Sequence, residues 1–171
     1  NDGKGEYGLA LFSKQKLQFV DSFFLPVPDG HEKRIFLVAK VELERPIYFA
    51  VTHFSYRGEY PGDEQHRNDS AKIITEYSLD NKLTPIIWTG DFNCTPDSTT
   101  LQYINKHWQV FNQADPDTAT INCKRLGPQQ IDYICAIPKN ACKLKKFKIV
   151  DNLIASDHKA VCAEITIENA N

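Results

Sequence analysis

The stretch Ile86-Ile87-Trp88-Thr89-Gly90-Asp91-Phe92-Asn93 opens on an apolar run and ends with a carboxylate and a carboxamide two positions apart. Its apolar start predicts a central strand buried on both faces. In an extended backbone, residues i and i+2 project to the same side. Asp91 and Asn93 would then converge while Phe92 turns away into packing. The competing reading is a surface turn at Thr89-Gly90-Asp91, with Asp91 hydrogen-bonded to its own backbone. On this stretch alone both readings stay open.

Upstream, segments 7–13, 18–25, 34–44 and 47–54 are rich in aromatic and β-branched residues. Turn signals such as Pro28-Asp29-Gly30 and Glu44-Arg45-Pro46 separate them, which predicts strands. Their short connections favour antiparallel neighbours. Across 64–83, Ala71, Ile73, Ile74 and Tyr77 recur at helical spacing, and Thr84-Pro85 ends the pattern. Downstream, Thr95-Pro96-Asp97-Ser98 reads as the start of a second helix that buries Leu101, Ile104 and Trp108. Segments 118–123, 130–137, 143–150 and 160–167 read as further strands. This order implies a single α/β domain in which helices cover sheets. No glycine-rich fingerprint follows an early strand, so a dinucleotide-binding fold is not indicated.

Length and composition agree with one globular unit: 171 residues, 42% apolar and 25% charged. A net charge of -2 argues against a broad electrostatic grip on nucleic acid. No apolar run approaches the roughly 20 residues of a membrane helix, and no signal-peptide pattern opens the chain. The five cysteines are an odd number without a Cys-x-x-Cys pair. They point to reduced thiols and a reducing compartment such as the cytoplasm. Cys135 and Cys162 lie in apolar strands and are expected to be buried. The absence of methionine and the start at Asn1 suggest a piece of a longer polypeptide.

Four further polar groups stand where strands give way to loops: His53, Asp132, Asp157 and His158. Each has a plain structural reading, as a rim histidine, an edge carboxylate or a turn cap. Asp132 resists it most, because a carboxylate among Ile131, Tyr133 and Ile134 is costly to bury unless paired.

The order Thr52-His53, Gly90-Asp91-Phe92-Asn93, Ile131-Asp132-Tyr133, Ser156-Asp157-His158 closely resembles the endonuclease/exonuclease/phosphatase superfamily of metal-dependent phosphoesterases. The opening Gly5-Glu6-Tyr7-Gly8-Leu9-Ala10-Leu11-Phe12-Ser13 is similar to that family's strand before the middle of the domain. The resemblance spans essentially the whole chain. It implies a DNase I-like α/β sandwich of two mostly antiparallel sheets flanked by helices, with residues 1–171 forming a partial domain. It also implies magnesium-dependent hydrolysis of a phosphodiester or phosphomonoester by attack of an activated water.

By this resemblance, His158 is general base or charge-stabilising contact to the phosphate, and Asp132 orients it. Asp91 positions or activates water, Asn93 donates to a phosphate oxygen, and His53 contacts phosphate or helps the leaving group. Asp157 binds or supports the metal. Hard oxygen ligands suit Mg2+, with Mn2+ as the substitute. Arg67, in the substrate-side segment 58–69, is a candidate phosphate contact; its plain reading is a solvated helix arginine. Lys143, Lys145, Lys146 and Lys148 read as a solvated edge strand. Substrate choice is expected in the loop of residues 55–66, which holds Tyr56, Arg57 and Tyr60. The substrate class extends from nucleic acid to small phosphoesters.

The sequence departs from the family pattern in one respect. The family's early asparagine and its principal metal-binding glutamate lie upstream of the segment matching 5–13. They are expected in a missing amino-terminal segment of the same domain, which would act as a partner to this chain. The alternatives are a catalytically silent binding module that keeps the fold, and a nucleic-acid binder without hydrolysis.

Overall fold

The computed structural model describes residues 8–56, 63–112, 118–123, 127–152, 154 and 156–168. Strands β1 (Leu17–Leu25), β2 (Arg34–Val41) and β3 (Ile47–His53) form a meander and lead into helix α1 (Asp63–Asp80). Strand β4 (Ile86–Asp91) and helix α2 (Thr99–His107) follow. Next come β5 (Gln109–Val110), β6 (Ile121–Cys123), β7 (Gly127–Gln129), β8 (Asp132–Ile137), β9 (Cys142–Val150) and β10 (Ala160–Ile167).

Six strands make the main sheet, in the order β1-β2-β3-β4-β8-β5, and β9 with β10 and β6 with β7 form two-stranded sheets. The pairings are antiparallel except β3 with β4, which run parallel because α1 carries the chain back between them. Period-two alternation divides the sheet's residues between two cores. Phe36, Val38, Ala50, Ile86, Trp88, Tyr133 and Cys135 pack with Ala71 and Ile74 of α1 and Leu101 and Ile104 of α2. On the opposite face Ile87, Ile134 and Ala136 meet Val161, Ala163 and Ile165 of the β9–β10 hairpin. The expected double burial of β4 is therefore met, with helices on one side and the hairpin on the other.

Behind the end of β4 lies a dense aromatic cluster. Trp88 stacks on Phe92 with ring centroids 4.4 Å apart, and Phe54, Trp108 and Tyr133 complete it. Each such ring removes about 150–250 Å² from water, contributing about 4–6 kcal/mol at about 25 cal/mol per Å² before conformational entropy is subtracted. The cluster makes the ends of β3, β4 and β8 a rigid platform.

Several expectations are corrected. Residues 8–13 form no strand, while the start of that segment lies outside the described residues. The strand expected over 118–123 is confined to Ile121–Cys123, because the preceding residues bond to the segment that leads into β8. Helix α1 stops at Asp80, where Lys82 turns left-handed with φ 52°, before Thr84-Pro85 is reached. Ile73 is partly exposed, so Ala71 and Ile74 carry the buried stripe. Cys135 is buried and Cys162 is exposed, because alternation turns it to the outer side of β10. Lys143, Lys145, Lys146 and Lys148 are exposed on β9, as expected.

Candidate active site

Strand register assembles the site. In the parallel pairing His53 is opposite Asp91, and in the antiparallel pairing Asp91 is opposite Asp132. Three neighbouring strands thus end in one row of titratable residues, about 4.8 Å per strand spacing apart. The close approach needs Gly90. It adopts φ 148°, and a Cβ there would lie 1.9 Å from the Thr52 carbonyl oxygen.

His158 closes the group from the far end of the chain. Its Nδ1 lies 2.9 Å from Asp132 Oδ2, and its Nε2 lies 3.8 Å from Asp91 Oδ2. His53 Nε2 lies 3.2 Å from the same Asp91 oxygen. The two imidazoles therefore flank one carboxylate, and the second carboxylate fixes the orientation of one of them.

Burial and charge divide these groups into distinct protonation states. Asp91 is pushed up to about 7, first by burial and then by the charge of Asp132. His158 is pushed up to about 9, chiefly by its hydrogen bond to Asp132 and against the effect of burial. His53 is pushed down to about 4 by burial, the charge of Arg34 and that of His158. At neutral pH the row holds a neutral His53, an Asp91 near its midpoint and a protonated His158.

Asn93 meets Asp91 by another route than a shared strand face. Its backbone is left-handed, φ 48°, so the chain has left the extended conformation. Its N–H donates to Asp91 Oδ1 at 2.8 Å, which is the local turn bond of the competing reading. Asn93 Nδ2 donates to Asp91 Oδ2 at 3.3 Å and to the Phe54 carbonyl at 3.1 Å. Both amide hydrogens are engaged inside the protein, and the side chain is buried. Turn and convergence are both present.

Arg67 is neither a solvated helix residue nor a surface contact for phosphate. It is 3% exposed. Its Nη1 donates to the Ser55 and Tyr56 carbonyls, each at 3.2 Å, and its Nη2 to Glu64 Oε2 at 3.0 Å. The other Glu64 oxygen accepts from the Thr99 hydroxyl and from the N–H and hydroxyl of Thr100. Burial works to raise the Glu64 carboxyl, yet these donors leave it below its ordinary value. Arg67 and Glu64 therefore lock the end of β3 to the start of α2. Asp157 is exposed and outside the tight group, acting on His158 only through its charge. Arg57 and Tyr60 lie outside the described residues.

Two residues near the site carried no warning in the sequence. Arg34 begins β2, is buried, and lines a pocket with His53, Leu9, Phe24 and Ile35. Asn112 donates from Nδ2 to the Asp132 carbonyl at 2.8 Å, and its Oδ1 accepts from the Ile134 N–H at 3.0 Å. It continues the ladder of β8 past the end of β5. Neither stands in a pattern that singles it out; only the fold brings them to the row.

Asp91, Asp132 and His158 each offer a ligand atom within 4.8 Å of the others, a group able to hold a metal ion. The donor set fits a divalent cation. Two carboxylates meet there, and the Asp91 carboxyl is raised first by burial and then by the charge of Asp132, both of which a bound cation would offset. Their oxygens suit a hard cation. A pocket of about 290 Å³ opens beside Asp91 and Asp132, with Lys159 on its wall.

The model of the Endonuclease/Exonuclease/phosphatase family matches residues 1–158. The chain belongs to the endonuclease/exonuclease/phosphatase family. Among solved structures, a functionally unknown conserved protein from Enterococcus faecalis V583 aligns with a TM-score of 0.71 at 20% identity. That alignment covers 92% of this chain and 69% of that one. The human Nocturnin catalytic domain aligns at 0.66 and 18%, covering 89% and 60%. A Bacteroides thetaiotaomicron mannosyl-6-phosphatase aligns at 0.66 and 19%, covering 89% and 68%. The chain thus spans less than two thirds of the Nocturnin domain and slightly more of the other two. No match was found among curated proteins. The family is one of hydrolases acting on phosphoesters, and the chain has its DNase I-like fold. Among the described residues no helix is long and apolar enough to cross a membrane.

Proposed function

We propose that this endonuclease/exonuclease/phosphatase family member hydrolyses a phosphodiester or phosphomonoester with magnesium, by attack of a water activated at Asp91. The observation that carries the reading is the row His53–Asp91–Asp132 with His158 closing it. The cation would be held by the carboxylates of Asp91 and Asp132, aided by the charge of Asp157, and manganese would replace it; the protonated His158 stands beside it and has no lone pair to offer. When bound, it supplies charge to polarise the phosphoryl oxygen and steady the leaving oxygen.

The residues themselves do the rest. Asp91, raised to about 7 in the metal-free protein and drawn below that by a bound cation, takes the proton of the attacking water. Asn93 and His53 hold its carboxylate in place. Asp132 accepts from His158 Nδ1 and so turns Nε2 towards the reacting centre. A His158 that keeps its proton up to about 9 acts as the cationic contact to phosphate, not as the base. Arg67 contributes by holding the end of β3. A phosphomonoester remains within the substrate class, since one structural neighbour is a mannosyl-6-phosphatase.

The test is hydrolysis of bis(p-nitrophenyl) phosphate and p-nitrophenyl phosphate by the chain with magnesium. Asp91→Asn and His158→Asn are each expected to lose about 10²–10⁴-fold in turnover. The alkaline limb of the rate profile should fall through about 9 as His158 loses its proton, while the acid limb lies at or below about 7 because the cation draws Asp91 down. Full activity in Asp91→Asn would refute the assignment. Phosphate binding without turnover in magnesium or manganese would instead make the chain the silent binding module.

A further inference from the structure

Asp132 and His158 are 26 positions apart in sequence, and one threonine bonds to the backbone at both places. Thr120 is fully buried. Its hydroxyl oxygen accepts from the Asp132 N–H at 3.2 Å and from the Ile131 N–H at 3.1 Å. Its carbonyl accepts from the N–H of Lys159, the residue after His158, at 2.7 Å. Its own N–H donates to the Gln129 carbonyl at 2.8 Å, and the next residue, Ile121, forms an antiparallel bridge with His158.

We propose that Thr120 is the positioning residue that sets the approach of His158 Nδ1 to Asp132 Oδ2, by bonding to the backbone on both sides of that pair. The assignment rests on reading the pair as phosphate-handling machinery. Asp132 opens β8, where the N–H groups of Ile131 and Asp132 take the Thr120 hydroxyl as their partner. The same residue's carbonyl anchors the chain just past His158, so the two side chains are spaced through a single rigid residue. A hydrogen bond between side chains is directional, and reacting groups displaced by about 1 Å lose on the order of 10²-fold in rate.

Thr120→Val and Thr120→Ser separate bonding from packing. Valine keeps the shape and presents a methyl to two buried N–H groups, whereas serine keeps the hydroxyl and loses only a methyl. The first readout is the hydrogen-bonded imidazole N–H proton of His158 in 15N-histidine-labelled chain, in chelator and without substrate. The wild type and Thr120→Ser should show it; Thr120→Val should lose it or shift it while the rest of the spectrum stays dispersed. The second readout is hydrolysis of bis(p-nitrophenyl) phosphate with magnesium. In Thr120→Val, kcat should fall on the order of 10- to 100-fold with KM little changed, and Thr120→Ser should restore most of it. If Thr120→Val does not fold, Thr120→Ala, whose smaller side chain leaves room for a water, carries the comparison.

The proposal is overturned if the valine or alanine variant keeps both the His158 signal and kcat, or if serine is as damaging as valine. It is equally overturned if only serine folds, which would make Thr120 a folding residue. A wild-type chain without turnover, together with a His158 signal that responds as described, would sink the hydrolase reading and leave the positioning role standing.

Discussion

Replacing Asp132 by asparagine removes the charge that faces His158 Nδ1 at 2.9 Å while changing the side chain's size little. In the native protein the imidazole is raised from 6.5 to about 9, first by its hydrogen bond to Asp132 and that residue's charge, with smaller contributions from Asp91 and Asp157. At 1.36 kcal/mol per pH unit the elevation corresponds to about 3 kcal/mol at most. A hydrogen bond between charged groups contributes about 1.5–3 kcal/mol, in the same range. The imidazole is 27% exposed, so solvent screens the pair only in part. Because the folded value lies above the unfolded one, this stabilisation is complete below about 6.5 and is lost as pH rises through about 9. Asp132→Asn should therefore lose about 2–3 kcal/mol near pH 6 and much less near pH 10, measured by urea unfolding in chelator. An NMR titration of His158 should move on the order of 2 pH units towards 6.5. If His158 in the variant titrates within about 1 unit of the wild type, the pairing does not control its proton. A stability loss of equal size at both pH values would likewise refute the reasoning.

Asp91→Asn should cut turnover about 10²–10⁴-fold and yet stabilise the metal-free protein, since Asp91 is raised from 3.8 to about 7 and its ionisation opposes folding across that interval. The gain should be about 2–4 kcal/mol above pH 7 and vanish near pH 4; a variant less stable than wild type at alkaline pH would contradict it. Gly90→Ala drives a Cβ into the Thr52 carbonyl at 1.9 Å, so the chain should lose at least about 4 kcal/mol or fail to fold. A soluble variant with native melting temperature would show that β3 and β4 part easily. Arg67→Ala should cost about 2–4 kcal/mol by leaving Glu64 and two loop carbonyls short of a donor. Its KM for a phosphoester should stay unchanged; a raised KM at intact stability would mean that the guanidinium reaches substrate after all.

Local pattern made much of this protein legible. The apolar run from Ile86 predicted a strand buried on both faces, and β4 is central in the main sheet. Ser98 belongs to the helix-start signal Thr95-Pro96-Asp97-Ser98, and it caps α2 by accepting from the Leu101 N–H. Asp132, an isolated carboxylate among apolar neighbours, demanded a partner and has one in His158. These readings succeeded because periodicity, capping and the cost of burying charge act within a few residues of chain. Asn93 was only half legible, since the left-handed backbone that brings it to Asp91 is a property of the turn and not of the strand before it.

What the sequence determined by itself is therefore both helices and most of the longer strands, the family, and His53, Asp91, Asp132 and His158 as candidate site residues. Tertiary structure alone decided that His53, Asp91 and Asp132 stand in one row, because the pairing of β3, β4 and β8 joins distant segments and a one-residue slip would turn a side chain to the other face. It alone buried Arg67, placed Arg34 and Asn112 at the site, and set the protons of Asp91, His53 and His158 apart. Burial and neighbouring charge govern those protons. Both depend on which strands pair, a choice made over the whole chain.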